Sequence, residues 1–530
     1  MTSIVQIAAG VTNAKLVDPS DDVKTIVQEL LSYTVEGAQY MSLGASWSGK
    51  SSFFSYTSCK FPAGFVFLVK KQLESHGFKV RLIQKKAIEP LGPANPIVDE
   101  FGNDDPRYDY QPKALRKVEK HGRGIIRVAT GGGKSKIAKL IAARYRRLTL
   151  FITTRGVLMH QMADAMKDSG MPVGIVGDGI WQPIKGMNCC MVQTLVSKLE
   201  EPDFNAEMRT QRAANGKRAK EEKLTVEQMT KLASEKMKEK ERERARTIKF
   251  LELAEVVIGE EAHEAGGNSY YQILKHCKNA RIRVALTATP FMKDNVEDNM
   301  RLMAAFGPIL IDVSEKMLID RGILATPIFK FQDSKPHDKL RKHSPWQRAY
   351  QLGYVENDYM LRDAIRDALM AKEYGLPTIT LIQRTAHGQR VQDAYKKAGL
   401  DFEYLKGEDK QAERKRQLAR LERGEIDGII GTTIIDVGVD VPAVGLVQLL
   451  GGGKAEVALR QRIGRGLRAK KAMPNYCFII DYHTGPNKTL NQHTATRRNI
   501  IRQTEGFAEN ILPEGADLPW KIFEENTRAA

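Results

Sequence analysis

Cysteine is scarce in this chain of 530 residues, and long apolar runs are absent from it. The five cysteines form no CxxC pair and no ligand-like group with histidine, so the sequence predicts neither a disulfide framework nor a zinc site. No apolar run approaches the roughly 18 residues of a membrane-spanning helix, and the start of the chain lacks a signal-peptide pattern. We therefore expect a reducing, cytoplasmic location, with no membrane and no disulfide partner.

Positive charge is in excess, because 82 Lys and Arg residues stand against 64 Asp and Glu residues, which gives a net charge of +18. This balance favours a polyanionic partner such as nucleic acid, although a generally basic protein would show the same excess. The length is too great for one core and suggests three or four domains of about 150 residues each.

The hydrophobic pattern divides the chain into four regions. Residues 1–105 predict a small α+β domain that ends in a Pro- and Gly-rich linker. Residues 106–320 and 321–485 each alternate short apolar runs with helical stretches, which is typical of a parallel sheet with crossover helices. Residues 486–530 form a C-terminal extension with one expected helix, over residues 496–511. The predicted fold class is therefore α/β, with two tandem parallel-sheet domains.

A highly charged segment, residues 205–247, interrupts the first of the two sheet domains. Acidic and basic residues alternate there at helix-friendly spacing, which predicts a solvated pair of helices. This pattern is compatible with two interpretations. The helices are either a flexible surface insertion without a binding role, or an arm that contacts DNA or a partner.

Two stretches compete as phosphate-binding loops. Gly44–Ser51 fits the pattern GxxxxGKS, but no buried strand precedes it and a poor helix former follows it. Val128–Ser135 lacks the first glycine, yet it follows the apolar run 125–128 and precedes an expected helix. Context favours the second stretch. We expect the first to be a surface hairpin, with Trp47 and Lys50 at a tip that contacts nucleic acid or only solvent.

The favoured loop carries the chemistry of a nucleoside triphosphate site. Its glycines let several backbone N–H groups turn towards a phosphate chain, and the helix N-terminus adds positive partial charge. Lys134 can reach the outer phosphates, and Ser135 can place its hydroxyl on Mg²⁺. ATP and Mg²⁺ are the cofactors expected here.

Two carboxylates, Glu260 and Glu261, follow the apolar run 256–258. In a sheet that also carries a phosphate loop, this is the place where the metal ion and the attacking water are handled. One carboxylate can hold the metal shell, partly through water, while the other orients or deprotonates the water.

In their order, these stretches resemble the motifs of the superfamily 2 helicases, and the resemblance covers roughly residues 107–470. It implies RecA-like folds for both sheet domains. It relates Tyr108–Gln111 to the adenine-reading glutamine motif, residues 260–263 to the DEAH-type box, residues 287–289 to motif III and residues 461–468 to motif VI. The phosphate loop of this family does not need its first glycine. The box usually begins with Asp, so Glu260 is a departure, although the water-mediated metal contact remains feasible.

The resemblance also implies roles for individual residues. Catalysis is assigned to Glu261 as base, Glu260, His263, Gln461 and two arginines that reach the γ-phosphate, Arg465 and Arg468. The nucleotide is assigned to Arg107, Tyr108, Gln111, Thr130, Gly131, Gly132, Gly133, Lys134, Ser135, Gly438 and Asp440. DNA is assigned to Thr153, Arg155, Gln193, Thr194, Gln383, Arg384, Thr432 and Thr433, beside Trp47 and Lys50.

Within the superfamily, three stretches look most like phage UvsW-type helicases and their XPB and RecG relatives: residues 404–409, residues 414–416 and the sequence GVDVP at residues 438–442, which resembles the end of motif V. That resemblance implies a monomeric DNA translocase that acts on branched or forked DNA, in the host cytoplasm if phage-encoded. Two alternatives stay open. One is an RNA helicase or a restriction-type translocase, and the other is a nucleic-acid-binding scaffold whose ATPase has degenerated.

Overall fold

The computed structural model describes most of the chain and contains two compact units. The first comprises residues 1–104, 108–127 and 135–311, and the second comprises residues 105–107, 128–134 and 312–530. Among the described helices, none combines the length and the apolar composition of a membrane-spanning segment. The described residues are 4–35, 38, 49–85, 88–96, 105–217, 222–263, 268–291, 296–406, 408–409, 411–431, 443–451, 463–464, 467–470 and 473–524.

A four-stranded sheet and two helices form the N-terminal part of the first unit. Its core contains the fully buried side chains of Ile7, Leu16, Phe65, Val69 and Leu73. The elements are β1 (Ile4–Ala9), β2 (Asn13–Val17), α1 (Asp21–Leu30), β3 (Ser32–Thr34), β4 (Lys50–Ser52), β5 (Lys60–Pro62), α2 (Val66–Ser75) and β6 (Lys79–Gln84). The strand order is β5-β2-β1-β6, with β1 and β2 antiparallel and β1 and β6 parallel.

The predicted hairpin around Trp47 and Lys50 has arms formed by β3 and β4, which pair as a separate two-stranded sheet. Thr34 pairs with Lys50 in the antiparallel register, so Lys50 begins a strand. Its expected position at the hairpin tip is therefore wrong. Trp47 lies outside the described residues. No helix follows Lys50, so this end of the Gly44–Ser51 match lacks the structure that a phosphate loop requires.

The first α/β sheet has eight strands in the order β10-β9-β11-β8-β12-β13-β7-β14. The predicted strands are confirmed within a residue or two, whereas β10 and β14 were not expected. The elements are α3 (Tyr110–His121), β7 (Arg123–Val128), α4 (Lys134–Tyr145), β8 (Thr149–Thr153), α5 (Gly156–Asp168), β9 (Val173–Gly177), β10 (Ile180–Gln182), β11 (Met187–Met191), α6 (Val192–Leu199), α7 (Phe204–Gly216), α8 (Val226–Leu253), β12 (Val256–Glu260), α9 (Asn268–His276), β13 (Ile282–Thr287), α10 (Val296–Phe306), β14 (Ile309–Val313) and α11 (Glu315–Asp320).

The charged insertion forms the helical pair that its pattern predicts, namely α7 and α8. Thr225 and Gln228 make a capping box that begins α8, and Met208, Met229 and Ala233 form a small core between the helices. The last turns of α8 bury Phe250 and Leu251 in the core of the sheet domain. The insertion is thus anchored through α8.

The second α/β sheet has the strand order β15-β20-β19-β16-β18-β17, and its neighbouring strands run parallel. The C-terminal helix expected over residues 496–511 is misplaced: α16 begins after Asn487, whose side chain accepts hydrogen bonds from the N–H groups of Thr489 and Leu490. The elements are β15 (Thr326–Asp333), α12 (Trp346–Tyr350), α13 (Asp358–Glu373), β16 (Thr378–Leu381), α14 (Thr385–Lys397), β17 (Phe402–Leu405), α15 (Gln411–Glu422), β18 (Gly428–Gly431), β19 (Leu446–Leu449), β20 (Tyr476–His483) and α16 (Lys488–Gln503).

A fully buried amide, Gln448, connects several elements of the second sheet domain. Its Oε1 accepts hydrogen bonds from Thr380 Oγ1 and Tyr395 OH, each at 2.7 Å. Its Nε2 donates to Ala364 O at 2.7 Å and to Tyr482 OH at 3.1 Å. Replacing the amide with an apolar group would leave several buried polar atoms without a partner.

We predict that Gln448→Leu lowers the free energy of unfolding by about 2–3 kcal/mol, because those buried groups lose their hydrogen bonds. A decrease of roughly 5 °C or more in the midpoint of thermal unfolding, followed by circular dichroism, would confirm it. The matched control is Gln389→Leu on the exposed face of α14. Equal midpoints for the two variants would contradict the structural role of Gln448.

Candidate functional site

Three neighbouring parallel strands, β7, β13 and β12, end at the same edge of the first α/β sheet. The carboxyl end of β7 leads into the glycine loop, that of β13 leads into residues 287–289, and that of β12 carries the carboxylates. The carboxyl edge of a parallel sheet is where such folds bind their ligands. The topology therefore brings the sequence-predicted motifs to one edge.

The glycine loop has the backbone geometry that its sequence suggests. Gly131 and Gly133 have φ angles of 87° and 81°, a region that glycine enters without strain. A Cβ atom on Gly132 would lie 2.4 Å from Val128 Cγ1, so only glycine fits there. The first turn of α4 begins at Lys134, whose Nζ donates to Val128 O at 3.5 Å, and contains the exposed Ser135. A helix N-terminus after a tight glycine turn presents the N–H groups and the positive partial charge that suit an anion.

The carboxylates follow directly from β12. Glu260 is its last residue and is 6% exposed, while Glu261 is 9% exposed. Glu261 has a φ of 43°, which is rare for a residue with a side chain and is typical of functional sites. Its N–H donates to Leu286 O at 2.9 Å, which ties it to β13.

A series of buried contacts connects the Glu261 carboxylate to the end of β13. His263 Nδ1 lies 3.5 Å from Glu261 Oε2 and shares a hydrogen bond of 2.6 Å with Thr287 Oγ1. Thr287 Oγ1 also accepts from the N–H of Thr289 at 3.2 Å. The side chains of Glu261, His263 and Thr287 are all buried. We call this set the Glu261–His263–Thr287 link.

Tyr270, which no sequence motif indicates, contacts the backbone of the strand that carries Glu260. Its hydroxyl lies 2.9 Å from Ile152 O and 2.9 Å from Glu260 O, so it joins the ends of β8 and β12. The aromatic ring is fully buried in α9. A tyrosine inside an apolar helix face gives no signal in a single sequence that would separate it from ordinary core.

The residues assigned to the adenine lie around the start of α3. Gln111 is 1% exposed, and its Oε1 has no hydrogen-bond partner within the described part of the chain. The Tyr108 ring lies 6.2 Å from the Tyr110 ring. The exposed Arg107 donates from its Nε to Asp105 Oδ2 at 2.8 Å. Gln111 thus retains a buried acceptor, while the guanidinium of Arg107 is held by a carboxylate.

A groove beside β8 is lined by two of the residues assigned to DNA, Arg155 and Gln193. Gln193 is exposed, and its Nε2 donates to Thr154 O at 2.9 Å. Gln193 and Thr194 lie in the first turn of α6. Thr153 is fully buried and accepts from the N–H of Arg155 at 3.4 Å, so its hydroxyl shapes the loop. The groove is lined by Thr154, Arg155, Val192, Gln193, Val196, Ser197, Glu200 and Ser269.

In the second unit, the structure describes only part of the predicted set. Arg384 places its guanidinium 4.5 Å from the centre of the Tyr350 ring, and Gln383 beside it is exposed. His387 is buried, which lowers its pKa to about 4. Arg468 has an exposed side chain, and its backbone bridges to Leu324. The following predicted residues lie outside the described ones: Thr432, Thr433, Gly438, Asp440, Gln461 and Arg465.

Comparison with protein families gives two matches. Residues 105–292 match the family described as type III restriction enzyme, res subunit, and residues 361–470 match the helicase conserved C-terminal domain. Together these matches cover more than half of the chain, and they contain the loop, the box and the motif VI residues.

Two sequence relatives are similar over most of the chain. A protein provisionally named helicase 22, from the Sulfolobus islandicus filamentous virus, is 24% identical over 66% of this chain. The chain spans 58% of that relative's length. The DNA 3'-5' translocase XPB2 of Sulfurisphaera tokodaii is 23% identical over 81% of this chain and 90% of its own.

Among solved structures, that of T4 UvsW covers 97% of this chain and 99% of its own, with 16% sequence identity and a TM-score of 0.41. A structural likeness this weak does not identify the family. The two family matches, with the order of motifs along the sequence, establish the assignment: the chain belongs to the superfamily 2 helicases.

Proposed function

We propose that the chain is an ATP-driven motor that moves along DNA and acts on branched or forked duplexes. The observation that carries the proposal is the Glu261–His263–Thr287 link, because it joins a water-activating carboxylate to a neighbouring strand end. In such an arrangement a change at the phosphates can be transmitted to residues on the nucleic-acid side. A motor needs this coupling, and a passive binding scaffold does not.

Hydrolysis is assigned to the edge formed by β7, β13 and β12. Among the described residues, no group of three or more His, Cys, Asp and Glu side chains is placed to hold a metal ion. This fits Mg²⁺, which usually binds one or two protein oxygens and completes its shell with phosphate oxygens and water. Ser135 and Glu260 would hold it, and when bound it would neutralise phosphate charge. Glu261 would then orient or deprotonate the attacking water.

Three observations favour DNA as the nucleic acid along which the motor moves. The relative that aligns over 90% of its own length is named a DNA translocase. The net charge of +18 suits a phosphate backbone, and Arg155 and Gln193 line a groove at the same sheet. Contacts of this kind go mainly to phosphates and imply little base preference.

Branched DNA follows from the resemblance of residues 404–409 and 414–416 to UvsW-type helicases. A direct test compares ATP hydrolysis and strand movement on linear duplex, a fork, a four-way junction and RNA of equal length. We expect the fork and the junction to stimulate hydrolysis most. Stimulation by RNA alone would contradict both the DNA assignment and the preference for branches.

A restriction-type translocase is the second candidate, because residues 105–292 match a restriction-enzyme family. The same DNA panel distinguishes the two candidates when the products are examined for cleavage. ATP-dependent cutting of linear duplex would favour the restriction-type function.

We predict that Lys134→Ala lowers the rate of ATP hydrolysis by at least about 100-fold, because the charge aimed at the phosphates is lost. Lys50→Ala is the matched control, since Lys50 belongs to the competing GKS match but lies on β4. That control should hydrolyse ATP at the wild-type rate and change DNA affinity at most. Phosphate-release assays measure both, and equal loss in the two variants would contradict the assignment of the loop.

We predict that Glu261→Gln binds ATP with nearly wild-type affinity but hydrolyses it at least about 100-fold more slowly, because the amide cannot accept a proton. Fluorescent-nucleotide binding and phosphate release report the two steps separately. A variant that turns over ATP at the normal rate would show that Glu261 is not the base.

A further inference from the structure

A cavity lies at the amino ends of β7 and β13, at the edge opposite to the candidate nucleotide site. It has a volume of about 460 Å³ and lies entirely within the first unit. Its walls come from the β1–β2 turn, the start of α2, the end of β6, the end of α3, and the start of β13. A volume of this size is typical of small-molecule sites.

The lining of this cavity is strongly cationic. Five of the lining residues are Lys or Arg, and none of the described lining residues is Asp or Glu. Lys278 also makes an ion pair at 2.6 Å with Glu252, which does not line the cavity. A concave surface that concentrates one sign of charge attracts the opposite one. The basic residues are Lys85, Lys120, Arg123, Lys278 and Arg281.

Arg123 is the most unusual of these residues, because it is only 8% exposed. Its Nη2 donates to Val11 O, while its Nη1 has no hydrogen-bond partner within the described part of the chain. Burial, together with the charge of Arg283, lowers the pKa of Arg123 to about 9, which still leaves it cationic at neutral pH. A buried guanidinium with an unused donor lowers the stability of the fold, and binding of an acceptor would relieve this cost in free energy.

Arg283 increases this free-energy cost, because it places a second buried positive charge beside Arg123. It stands opposite Arg123 in the parallel register of β13 and β7 and is 2% exposed. Its Nε donates to Ala280 O at 2.9 Å, and its Nη2 donates to Cys277 O at 2.6 Å. Two buried arginines on adjacent strands thus bind carbonyl groups rather than carboxylates. An anion in the cavity would meet their combined positive field.

One wall of the cavity is suited to a flat ring. The Phe67 side chain is only partly buried, and its ring lies 5.6 Å from the His121 ring at an interplanar angle of 82°. Phe67 and His121 both line the cavity, next to Val66 and Ile282. A ligand with an anionic end and an aromatic or apolar body would use both kinds of wall.

We propose that this cavity binds a phosphate ester of nucleotide size, with the phosphate at Arg123 and the organic body against Phe67. The site is separate from the loop at Lys134 and does not depend on the proposed motor function. The same phosphate chemistry is offered by a free mononucleotide and by the terminal phosphate of a DNA strand.

The test is calorimetric titration of the full chain with AMP. The Lys134→Ala background removes the contribution of the candidate ATP site, and in it we expect AMP binding to persist. Adding Lys85→Gln and Lys120→Gln, two exposed rim residues whose replacement spares the core, should weaken AMP binding by at least about tenfold. Lys117→Gln, on the same helix but outside the cavity, is the matched control and should leave AMP binding unchanged.

Arg123→Gln should abolish binding, provided that its circular dichroism spectrum matches wild type; the rim variants test the site independently of that condition. A second titration compares a 5'-phosphorylated oligonucleotide with the same oligonucleotide that carries a 5'-hydroxyl group instead. A preference for the phosphorylated strand that disappears in the rim variant assigns the site to strand ends, and AMP binding without such a preference assigns it to free nucleotides. No AMP or strand-end binding in the Lys134→Ala background, or binding that the rim variants leave unchanged, would overturn the proposal.

Discussion

The short hydrogen bond between His263 and Thr287 is the interaction on which the candidate site depends. It crosses from the residues after β12 to the last residue of β13, and Glu261 lies 3.5 Å from the same imidazole nitrogen. Since all three side chains are buried, water does not compete for the hydrogen bond or for the Glu261–His263 contact, and the two strands fix the geometry of both. The left-handed backbone of Glu261 is held by its N–H bond to Leu286 O, again on β13. A displacement of the carboxylate therefore displaces the end of the next strand.

The same sheet presents opposite chemistry at its two edges. At the carboxyl edge, carboxylates and glycine N–H groups are suited to a metal–nucleotide pair. At the amino edge, Arg123 and Arg283 place two buried positive charges on adjacent strands. β7 and β13 reach both edges, so the candidate nucleotide site and the cationic cavity share their supporting strands. Each edge uses residues that would destabilise an ordinary sheet core, which is characteristic of sites under functional constraint.

The sequence predicts the structure well where local pattern and sheet topology agree. Context favours the loop at 128–135 over the stricter match at 44–51 because a buried strand precedes it and a helix follows it, and β7 and α4 confirm both elements. Prediction fails where a single polar residue or a tertiary contact decides the outcome. The start of α16 depends on the side chain of Asn487, and Lys50 enters a strand because Thr34 pairs with it. The burial of Arg123 gives no signal in the sequence, because it arises from tertiary packing; its hydrogen-bond partner, Val11 O, lies far away along the chain.

Replacement of Thr287 shows whether the Glu261–His263–Thr287 link couples ATP hydrolysis to movement along DNA. Thr287→Val removes the hydroxyl from the Glu261–His263–Thr287 link with little change in volume. Thr289→Val is the matched control, because the buried Thr289 Oγ1 has no hydrogen-bond partner within the described residues. The measurement is the amount of DNA strand displaced per ATP hydrolysed. We expect Thr287→Val to lower this ratio by about tenfold while Thr289→Val leaves it near the wild-type value. Identical ratios for the two variants would show that the link does not couple hydrolysis to movement.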